Sequence, residues 1–520
     1  MAEAVAPVPA GADPAGPAPT AAAGDPSATR ASVASPLAEL LARQCLSDPE
    51  APAIEFGGEV ISRAGFAALI GAELADLQAR GLGAGAMVGW LGWNTPQMLA
   101  CFFACARLGA VFVPLNWRLA APELLAILRH AGLDVLLNTP EFDELAARLR
   151  EQAPMGAAIA DRVRPEPGDL MLVYTSGTTG QPKGAVHTQA GMLANLQAAT
   201  AVQGLTSADR VLSLLPLFHV GGLCIQTLPA LCCGAVLRLH ARFDPGAWLR
   251  DVAQWRPTTS LLVPAVMRAI LDHPDFAATE LSSLAYLNSG SSIVPVALIE
   301  AFHARGVPVA QVYGSTETGP FSIALRPDEA LARVGQVGRP APGVELRLVD
   351  EVGREVATGE VGEVWLKAAN LMRGYHRDPA NPGFAAGWFH SGDLGRQDDA
   401  GHVQIVGRAK DMIISGGENI HPAEIENLVL AWPGVAEAVV VGLPDERWGE
   451  VPVLVLVPVG AGAAGAVAID VEGLRQHLAG RLARYKQPRR IEVLAELPRT
   501  ALGKVQKAAV VKRLRGAATA

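Results

Sequence analysis

The sequence predicts an α/β protein with a large N-terminal domain of layered sheets and helices, a small β subdomain, and a small, mobile α+β domain at the C-terminal end. Three observations predict this class. Apolar strand-like runs alternate with Ala- and Leu-rich helical runs from Leu37 onward. After Gly338 the pattern changes to apolar and polar residues in alternation, and it changes again after Gly407. The 520 residues suffice for about three domains of ordinary size.

The first part of the chain supplies the strands of the expected parallel sheet. The run "MVGWLGW" at 87–93 precedes a helical run at 96–109 and a second strand at 110–116. Further strands are expected at 169–175, 210–217, 258–264, 284–290 and 308–314. Several of them end in Gly, Ser or Thr. Because the carboxyl ends of strands form the ligand crevice in open α/β sheets, these residues indicate one shared site.

Two smaller units follow. Residues 344–367 carry the alternation and Gly-bearing turns of short antiparallel strands, which predicts the small β subdomain at about 338–406. Beyond it, the order helix, strand, strand, helix, strand predicts a separate unit of ordinary domain size. We therefore expect an N-terminal domain over residues 35–406 and a C-terminal domain over 407–515.

The composition argues against several classes of protein. A formal net charge of -8 and a pI near 5.8 argue against nucleic-acid binding, which favours a basic field. The six Cys residues form no C-x-x-C pair, so we expect buried thiols in a reducing cytoplasm. Residues 1–34, rich in Ala and Pro, lack the charge pattern of a signal or transit peptide and predict a disordered tail.

The uncharged run at 220–237 is long enough to raise the question of a membrane span. It contains Gln226, Thr227 and Pro229, which would be costly against lipid. We expect a buried helix followed by a buried strand, and no membrane span.

The stretch "YTSGTTGQPKG" at 174–184 includes one of the strand ends. Its glycines let the backbone bend and expose amide N–H groups, and its Ser and Thr residues add hydroxyl donors. Lys183 adds a cation, so the loop suits a polyphosphate. It is not a Walker A motif, which would need Gly at position 182 followed by Lys and Ser or Thr, because Pro182 and Gly184 break that pattern.

Two further stretches carry groups that suit a nucleotide. In "QVYGSTETG" at 311–319, Tyr313 offers a ring for stacking on a base, Thr316 a hydroxyl and Glu317 a carboxylate for a cation such as Mg²⁺. In "GWFHSGDLG" at 387–395, Asp393 suits the hydroxyls of a ribose. Taken singly, a Thr-Glu-Thr turn is more often a helix cap, and an Asp in a Gly turn is more often structural.

With "GRAKDMIISGGENIHPAEIE" at 407–426 and "LPRTALGKVQK" at 497–507, the chain has five such stretches. In this order and at these spacings they resemble the adenylate-forming superfamily of acyl-CoA synthetases, over about residues 37–513. The resemblance implies an acid–CoA ligase that uses ATP, Mg²⁺ and CoA. Carboxylate and MgATP would give an acyl-adenylate and pyrophosphate, and CoA would then give the thioester.

The resemblance also implies roles for individual residues. The phosphate loop would comprise Thr175, Ser176, Gly177, Thr178, Thr179, Gly180 and Lys183. Adenine, phosphate and Mg²⁺ would be bound by Tyr313, Gly314, Thr316 and Glu317, with Glu317 as the metal ligand, and the ribose by Asp393 and Arg408. Ser291 lies in the turn "SGSS" at 289–292, which replaces the Gly-Gly-Ala-Pro-like turn that the family often has beside adenine and substrate.

Other roles concern the C-terminal domain. Lys504 would bridge the substrate carboxylate and the α-phosphate, since a cation between two anions brings them together. Lys410 would be the hinge that removes Lys504 before a thiol attacks. Gly416 and Gly417 would line the pantetheine tunnel, and Trp448 would lie against the CoA adenine or, alternatively, be a partly buried core residue.

His219, in "LPLFHVGGL" at 215–223, matches the position where the family carries an aromatic residue or His at the mouth of the acid pocket, although a helix cap is an alternative. The residues after it (Val220, Gly221, Gly222 and Leu223) predict an apolar wall with room for a large acid. A buried basic partner for a second carboxylate is not evident, so we expect a monocarboxylic acid. The residues fit a medium- or long-chain fatty acid and an aryl acid almost equally well.

Two other functions remain open. One is an adenylating enzyme that loads a separate carrier protein, and the other is a nucleotide-binding regulator without catalysis. Because no carrier-protein segment follows Lys504, we expect a stand-alone CoA ligase in the cytoplasm, with a homodimer as one possible assembly.

Overall fold

The structure is a computed structural model that describes residues 35–153, 155–156, 163–176, 182–378, 380, 383–461, 467–499 and 505–518. The predicted tail at 1–34, the loop residues Gly177, Thr178, Thr179 and Gly180, and the predicted catalytic Lys504 lie outside these ranges.

The strands alternate with helices along the N-terminal two thirds of the chain. The strands of this part are β1 (Pro52–Phe56), β2 (Glu59–Ser62), β3 (Met87–Leu91), β4 (Val111–Leu115), β5 (Val135–Asn138), β6 (Asp169–Ser176), β7 (Pro182–Thr188), β8 (Arg210–Ser213), β9 (Val236–Leu239), β10 (Thr259–Leu262), β11 (Tyr286–Gly290), β12 (Val309–Tyr313), β13 (Ile323–Ala324) and β14 (Arg339–Pro340). The later strands are β15 (Val344–Val349), β16 (Val361–Ala368), β17 (Gly374–Tyr375), β18 (Phe384–Ala385), β19 (Trp388–Gln397), β20 (Val403–Arg408), β21 (Ile413–Ser415), β22 (Glu418–Ile420), β23 (Val435–Asp445), β24 (Gly449–Pro458) and β25 (Arg490–Val493).

The α-helices lie between these strands and after them. They are α1 (Pro36–Ser47), α2 (Arg63–Ala79), α3 (Pro96–Leu108), α4 (Ala121–Ala131), α5 (Asp143–Gln152), α6 (Gln189–Gln203), α7 (Val220–Gly222), α8 (Leu228–Cys233), α9 (Pro245–Gln254), α10 (Pro264–Leu271), α11 (Val296–His303), α12 (Pro422–Leu430), α13 (Val471–Ala479) and α14 (Lys507–Ala518). Short 3-10 helices lie at Pro140–Phe142, Pro274–Phe276, Pro327–Glu329, Ala409–Asp411 and Arg484–Lys486.

The described strands form four sheets. The first has the order β14-β13-β12-β11-β10-β8-β9-β1-β2, and the second the order β17-β7-β6-β4-β3-β5. The third, β15-β16-β19-β18 with β20 beside β19, is antiparallel, and the fourth has the order β22-β21-β24-β23 with β25 beside β24. The expected strands of the first part are all present, and they divide between the first two sheets. The predicted α/β class is confirmed.

Helix α3 shows how local sequence produces these elements. The Thr95 hydroxyl accepts a hydrogen bond from the Met98 amide at 3.1 Å, and Pro96 occupies the first turn, where its missing N–H is harmless. Gly109, with φ of +72°, ends the helix in a left-handed conformation. Because α3 is packed on all sides, its apolar residues run without interruption from Met98 to Ala106.

The segment after His219 forms the predicted buried helix, and the strand that follows it, β9, alternates between partly buried and buried residues. The helix contains a π-helical turn at Leu223–Thr227, which ends two residues before Pro229. Pro229 has no N–H to donate to the Ile225 carbonyl, and the Gln203 side chain donates to that carbonyl instead, at 2.8 Å. The predicted buried helix is confirmed, and polar side chains satisfy backbone groups inside the protein, whereas the strand after it is only half-buried.

Two further observations bear on the sequence predictions. Five of the six cysteines are buried and Cys233 is partly buried, all as free thiols. None of the described helices combines the length and the apolar character that crossing a membrane requires.

Candidate active site

The phosphate-loop stretch forms an antiparallel hairpin of β6 and β7, in which Thr175 pairs with Lys183. The Thr175 hydroxyl donates to the Lys183 carbonyl at 3.5 Å. A Cβ at position 184 would stand 2.7 Å from Leu172 Cδ1, so a side chain there would require Leu172 to shift. Lys183 thus lies near the start of β7, and residues 177–181 before this strand are outside the described residues.

A tight turn follows β12 and presents Thr316 and Glu317. A Cβ at Gly314 would lie 2.3 Å from the Pro320 carbonyl oxygen, so glycine is required for the turn to close. The Ser315 amide donates to the Thr318 hydroxyl at 2.7 Å. Thr316 is buried, whereas the Glu317 side chain is half-buried. The turn therefore fixes a hydroxyl and a carboxylate next to each other.

Tyr313, Asp393 and Arg408 form a connected group beside this turn. The Tyr313 hydroxyl donates to Asp393 Oδ2 at 2.8 Å, and Arg408 Nε lies 2.9 Å from Asp393 Oδ1. Asp393 and Arg408 are direct partners in the β19–β20 pair. The Asp393 carboxylate raises the pKa of Arg408, with smaller contributions from other groups that include Glu317. The structure brings together the two residues predicted for the ribose and the one predicted for adenine.

Tyr375 connects Lys183 with Glu317, and the sequence analysis missed it. Its hydroxyl donates to Glu317 Oε1 at 2.9 Å, and the Lys183 ammonium lies 5.1 Å from the centre of its ring. Burial and the Glu317 carboxylate raise the pKa of Tyr375, which keeps the phenol protonated as a donor. Strand β17, which carries Tyr375, has two residues and no periodicity, so it left no local signal.

A buried histidine lies behind this group. His187, on β7, is 2% exposed. Burial lowers its pKa to about 4, while the Glu317 carboxylate and a hydrogen bond to the Thr316 backbone act in the opposite direction. His187 is therefore neutral at physiological pH.

His219 caps the helix that follows it, as the alternative interpretation had it. Its Nδ1 accepts from the Gly221 amide at 3.0 Å, which places the proton of the neutral ring on Nε2. A Cβ at Gly221 would meet His219 Nδ1 at 3.1 Å and the Ser291 hydroxyl at 3.2 Å. Ser291 has a φ of +69°, a rare conformation for a residue with a side chain. These three residues thus lie together.

One feature of the predicted acid wall has a different cause. Val220, Gly221, Gly222 and Leu223 are all buried. A Cβ at Gly222 would stand 2.4 Å from the Pro216 carbonyl oxygen, so this glycine serves close backbone packing. It does not provide room for an acid, as the small size of the residue suggested.

The residues predicted for the hinge and the CoA tunnel lie further along the chain. Lys410 is exposed in the 3-10 helix Ala409–Asp411. The Gly416 amide donates to the Trp448 carbonyl at 2.8 Å, and Gly416 faces the half-buried indole. Arg447 and Arg489 lie 5.1 Å and 5.5 Å from the Trp448 ring. Gly417 has a φ of +87° and open space around it. Gly416, Gly417, Trp448 and the two arginines lie in loops next to strands of the fourth sheet.

The site offers few carboxylates for a metal ion. The described residues include no group of three or more His, Cys, Asp or Glu side chains that could hold a metal. Mg²⁺ commonly binds through one or two carboxylates and the phosphates of a substrate. A single half-buried carboxylate at Glu317 near Lys183 fits that pattern.

Comparison with known proteins identifies the family of this chain. The sequence matches the family of AMP-binding enzymes over residues 41–376 and the AMP-binding enzyme C-terminal domain over residues 424–504. An indoleacetate–CoA ligase of Aromatoleum aromaticum is 42% identical over 497 residues, which cover 91% of this chain and 96% of the relative. A feruloyl-CoA synthase of an Amycolatopsis species is 39% identical over 485 residues, which cover 91% and 97%.

A solved structure is also similar to this chain. An anthranilate–CoA ligase in complex with anthranoyl-AMP is similar with a TM-score of 0.85 and 27% identity, over 93% of this chain and 98% of that one. Both family matches, the relatives and the clustered residues therefore lead to one conclusion: the chain belongs to the adenylate-forming superfamily of AMP-binding enzymes and is an acid–CoA ligase that uses ATP, CoA and a carboxylic acid.

Proposed function

We propose that this enzyme activates an aryl carboxylic acid, such as an arylacetate or a hydroxycinnamate, as its adenylate and transfers the acyl group to CoA. One observation carries the choice of an aryl acid over a fatty acid. The two relatives with 42% and 39% identity, each aligned over 91% of this chain, are an indoleacetate–CoA ligase and a feruloyl-CoA synthase. A single apolar pocket with few polar groups accommodates such an acid.

The proposed nucleotide orientation rests on the two groups around the β12 turn. The ribose and adenine would lie against Tyr313, Asp393 and Arg408, and the phosphates would extend towards Glu317 and Lys183. Such a ligand needs an aspartate that accepts hydrogen bonds from the ribose hydroxyls, and it needs a lysine near the phosphates. Both groups border the turn that follows β12, so a single nucleotide can contact them together.

Glu317 is the proposed protein ligand for Mg²⁺. The ion would neutralise phosphate charge while the substrate carboxylate approaches the α-phosphorus. Lys183 would hold the departing phosphates, and Lys504 would lie between the carboxylate and the α-phosphate. After pyrophosphate leaves, a turn at Lys410 would replace Lys504 by the surface around Gly416 and Gly417, where the thiol of CoA enters.

The arrangement around Trp448 supports the proposed CoA site. Its indole ring and the guanidinium groups of Arg447 and Arg489 offer a flat apolar surface next to positive charge. Adenine stacks on aromatic rings, and the phosphates of CoA need cations.

The test is ATP- and Mg²⁺-dependent thioester formation, followed by mass spectrometry, with purified protein, CoA and a panel of indoleacetate, hydroxycinnamate, benzoate and fatty acids. We expect aryl acids to be used preferentially, by a factor of about 10 or more in kcat/KM. Preference for a fatty acid would overturn the proposed substrate class. Adenylates without any CoA thioester would instead favour a carrier protein as acceptor.

A further inference from the structure

A short segment that the proposed nucleotide site does not include fastens the phosphate hairpin to the β12 turn. It consists of residues 370–376, here called the strap. Its Met372 amide donates to the Glu317 carbonyl at 2.8 Å, and its His376 amide donates to the Gly184 carbonyl at 2.7 Å. Between these bonds, β17 pairs with β7 at positions 185 and 186. The strap therefore contacts both partners of the phosphate region through its backbone.

An ion pair anchors the strap from behind. Arg373 donates from Nε and Nη2 to the two carboxylate oxygens of Asp169, both at 2.9 Å, and from Nη1 to Glu166. The Asp169 side chain is 2% exposed. Such a two-point contact with a buried carboxylate fixes the direction of the arginine as well as its distance. The residue two positions on, Tyr375, is thus held on a rigid support.

Tyr375 makes two contacts that differ in chemistry. Its hydroxyl donates to Glu317 Oε1 at 2.9 Å, and its ring face lies 5.1 Å from the Lys183 ammonium. The first contact orients a carboxylate, and the second attracts a cation without neutralising it. A lysine and a glutamate that close to one tyrosine could otherwise pair directly, which would draw both charges away from a nucleotide.

We propose that Tyr375 is a positioning residue for adenylation, which orients the Glu317 carboxylate towards the metal and holds Lys183 for the leaving phosphates. This inference rests on the proposed function of Lys183 and Glu317, and it adds a residue that the sequence motifs did not include. Tyr375 acts through these two side chains and makes no bond to the substrate itself. Its influence ends when pyrophosphate leaves, because the acyl-adenylate keeps only the α-phosphate.

The test uses the full chain with Tyr375→Phe, which keeps the ring, and Tyr375→Leu, which removes both contacts. The control is Tyr286→Phe. Tyr286 is a buried tyrosine at the first position of β11, whereas the turn at 289–292 lies at the other end of this strand. For each protein, MgATP binding is measured by calorimetry and pyrophosphate release is measured against Mg²⁺ and ATP. Thioester formation from supplied acyl-adenylate and CoA is measured separately.

We expect Tyr375→Phe to raise the Mg²⁺ concentration for half-maximal adenylation about 10-fold, because a hydrogen bond to a charged group is lost. Tyr375→Leu should in addition raise the KM for ATP about 5-fold, through the lost contact with Lys183. Both variants should convert supplied acyl-adenylate at the rate of the unmodified enzyme. A purely structural role would lower both half-reactions together.

The proposal is overturned if Tyr375→Phe matches Tyr286→Phe in Mg²⁺ dependence and MgATP binding, or if the thioester step falls as much as adenylation. Failure of the proposed function has a different outcome: the unmodified enzyme would form no adenylate with any acid. Calorimetry would then still report whether Tyr375 changes the affinity for MgATP.

Discussion

The two ends of the proposed nucleotide site are built differently. At the ribose end, Asp393 is bound directly by the Tyr313 hydroxyl at 2.8 Å and by Arg408 at 2.9 Å. At the phosphate end, Lys183 and Glu317 are connected through the Tyr375 side chain, with the ammonium 5.1 Å from the ring. The ribose end is thus a closed hydrogen-bonded group, whereas the phosphate end keeps its opposite charges apart.

The two ends of the proposed site can serve different half-reactions. The ribose and adenine remain bound in both half-reactions, since the acyl-adenylate contains them. Pyrophosphate leaves after the first step, so residues at the phosphate end serve that step alone. Variants at the ribose end should therefore impair both half-reactions, and variants at the phosphate end only adenylation.

The largest effect is expected from Lys504→Ala, which removes the proposed cation between two reacting anions. Adenylation should fall about 1000-fold, while thioester formation from supplied acyl-adenylate stays within about 2-fold. Pyrophosphate release and thioester formation are assayed separately. The control is Lys507→Ala, a nearby lysine that lies 3.3 Å from Glu426. Equal loss in both half-reactions would contradict the role of Lys504.

Asp393→Ala should have the next largest effect, because it disrupts the hydrogen-bonded group at the ribose end. It removes the partner of both Tyr313 and Arg408, so we expect kcat/KM for ATP to fall about 100-fold, and the thioester step to fall as well. Asp398→Ala is the matched control, because Asp398 forms a comparable ion pair with Arg333 at 3.2 Å. An intact thioester step in Asp393→Ala would remove the distinction between the two ends.

Tyr313→Phe tests the ribose end with a smaller change. It removes only the hydroxyl that donates to Asp393, and we expect a loss of about 5-fold in kcat/KM for ATP. In the double variant with Asp393→Ala, the tyrosine substitution should cost nothing further, because its partner is already absent. Additive losses in this cycle would show that Tyr313 acts independently of Asp393.

The smallest effect concerns stability behind the phosphate end. His376, which follows Tyr375, is 8% exposed, and burial lowers its pKa to about 4. Between pH 6.5 and 4 the unfolded chain binds a proton that the folded chain does not, so the free energy of unfolding falls as the pH decreases. His376→Gln should reduce this fall by roughly 1 to 3 kcal/mol.

That prediction is measured by urea unfolding at pH 4.5, 5.5 and 7. The control is His477→Gln on α13, whose ring is only partly buried. If the pH dependence of unfolding is the same in His376→Gln as in the unmodified enzyme, the buried neutral His376 is not its source.

Local sequence patterns suffice to predict the order of strands and helices, the α/β class and the stretches that carry the nucleotide-side residues. They suffice because apolar periodicity, caps and Gly turns act over a few neighbouring residues, as in α3 between Thr95 and Gly109. Tyr313, Glu317 and Asp393 were predicted because each stands in such a local stretch. Their functional roles stay predictions until the variants are measured.

Which stretches meet depends on tertiary packing. The sequence did not assign individual strands to the layered sheets, which the structure divides between two sheets, and β17 joins β7 across nearly 190 residues of sequence. Tyr375 was missed for that reason, since its contacts come from residues far away along the chain. Gly222 was misinterpreted for a related reason. A side chain at this position would clash with the Pro216 carbonyl, and the sequence does not show that contact. Such contacts depend on three-dimensional packing, which local sequence patterns do not encode.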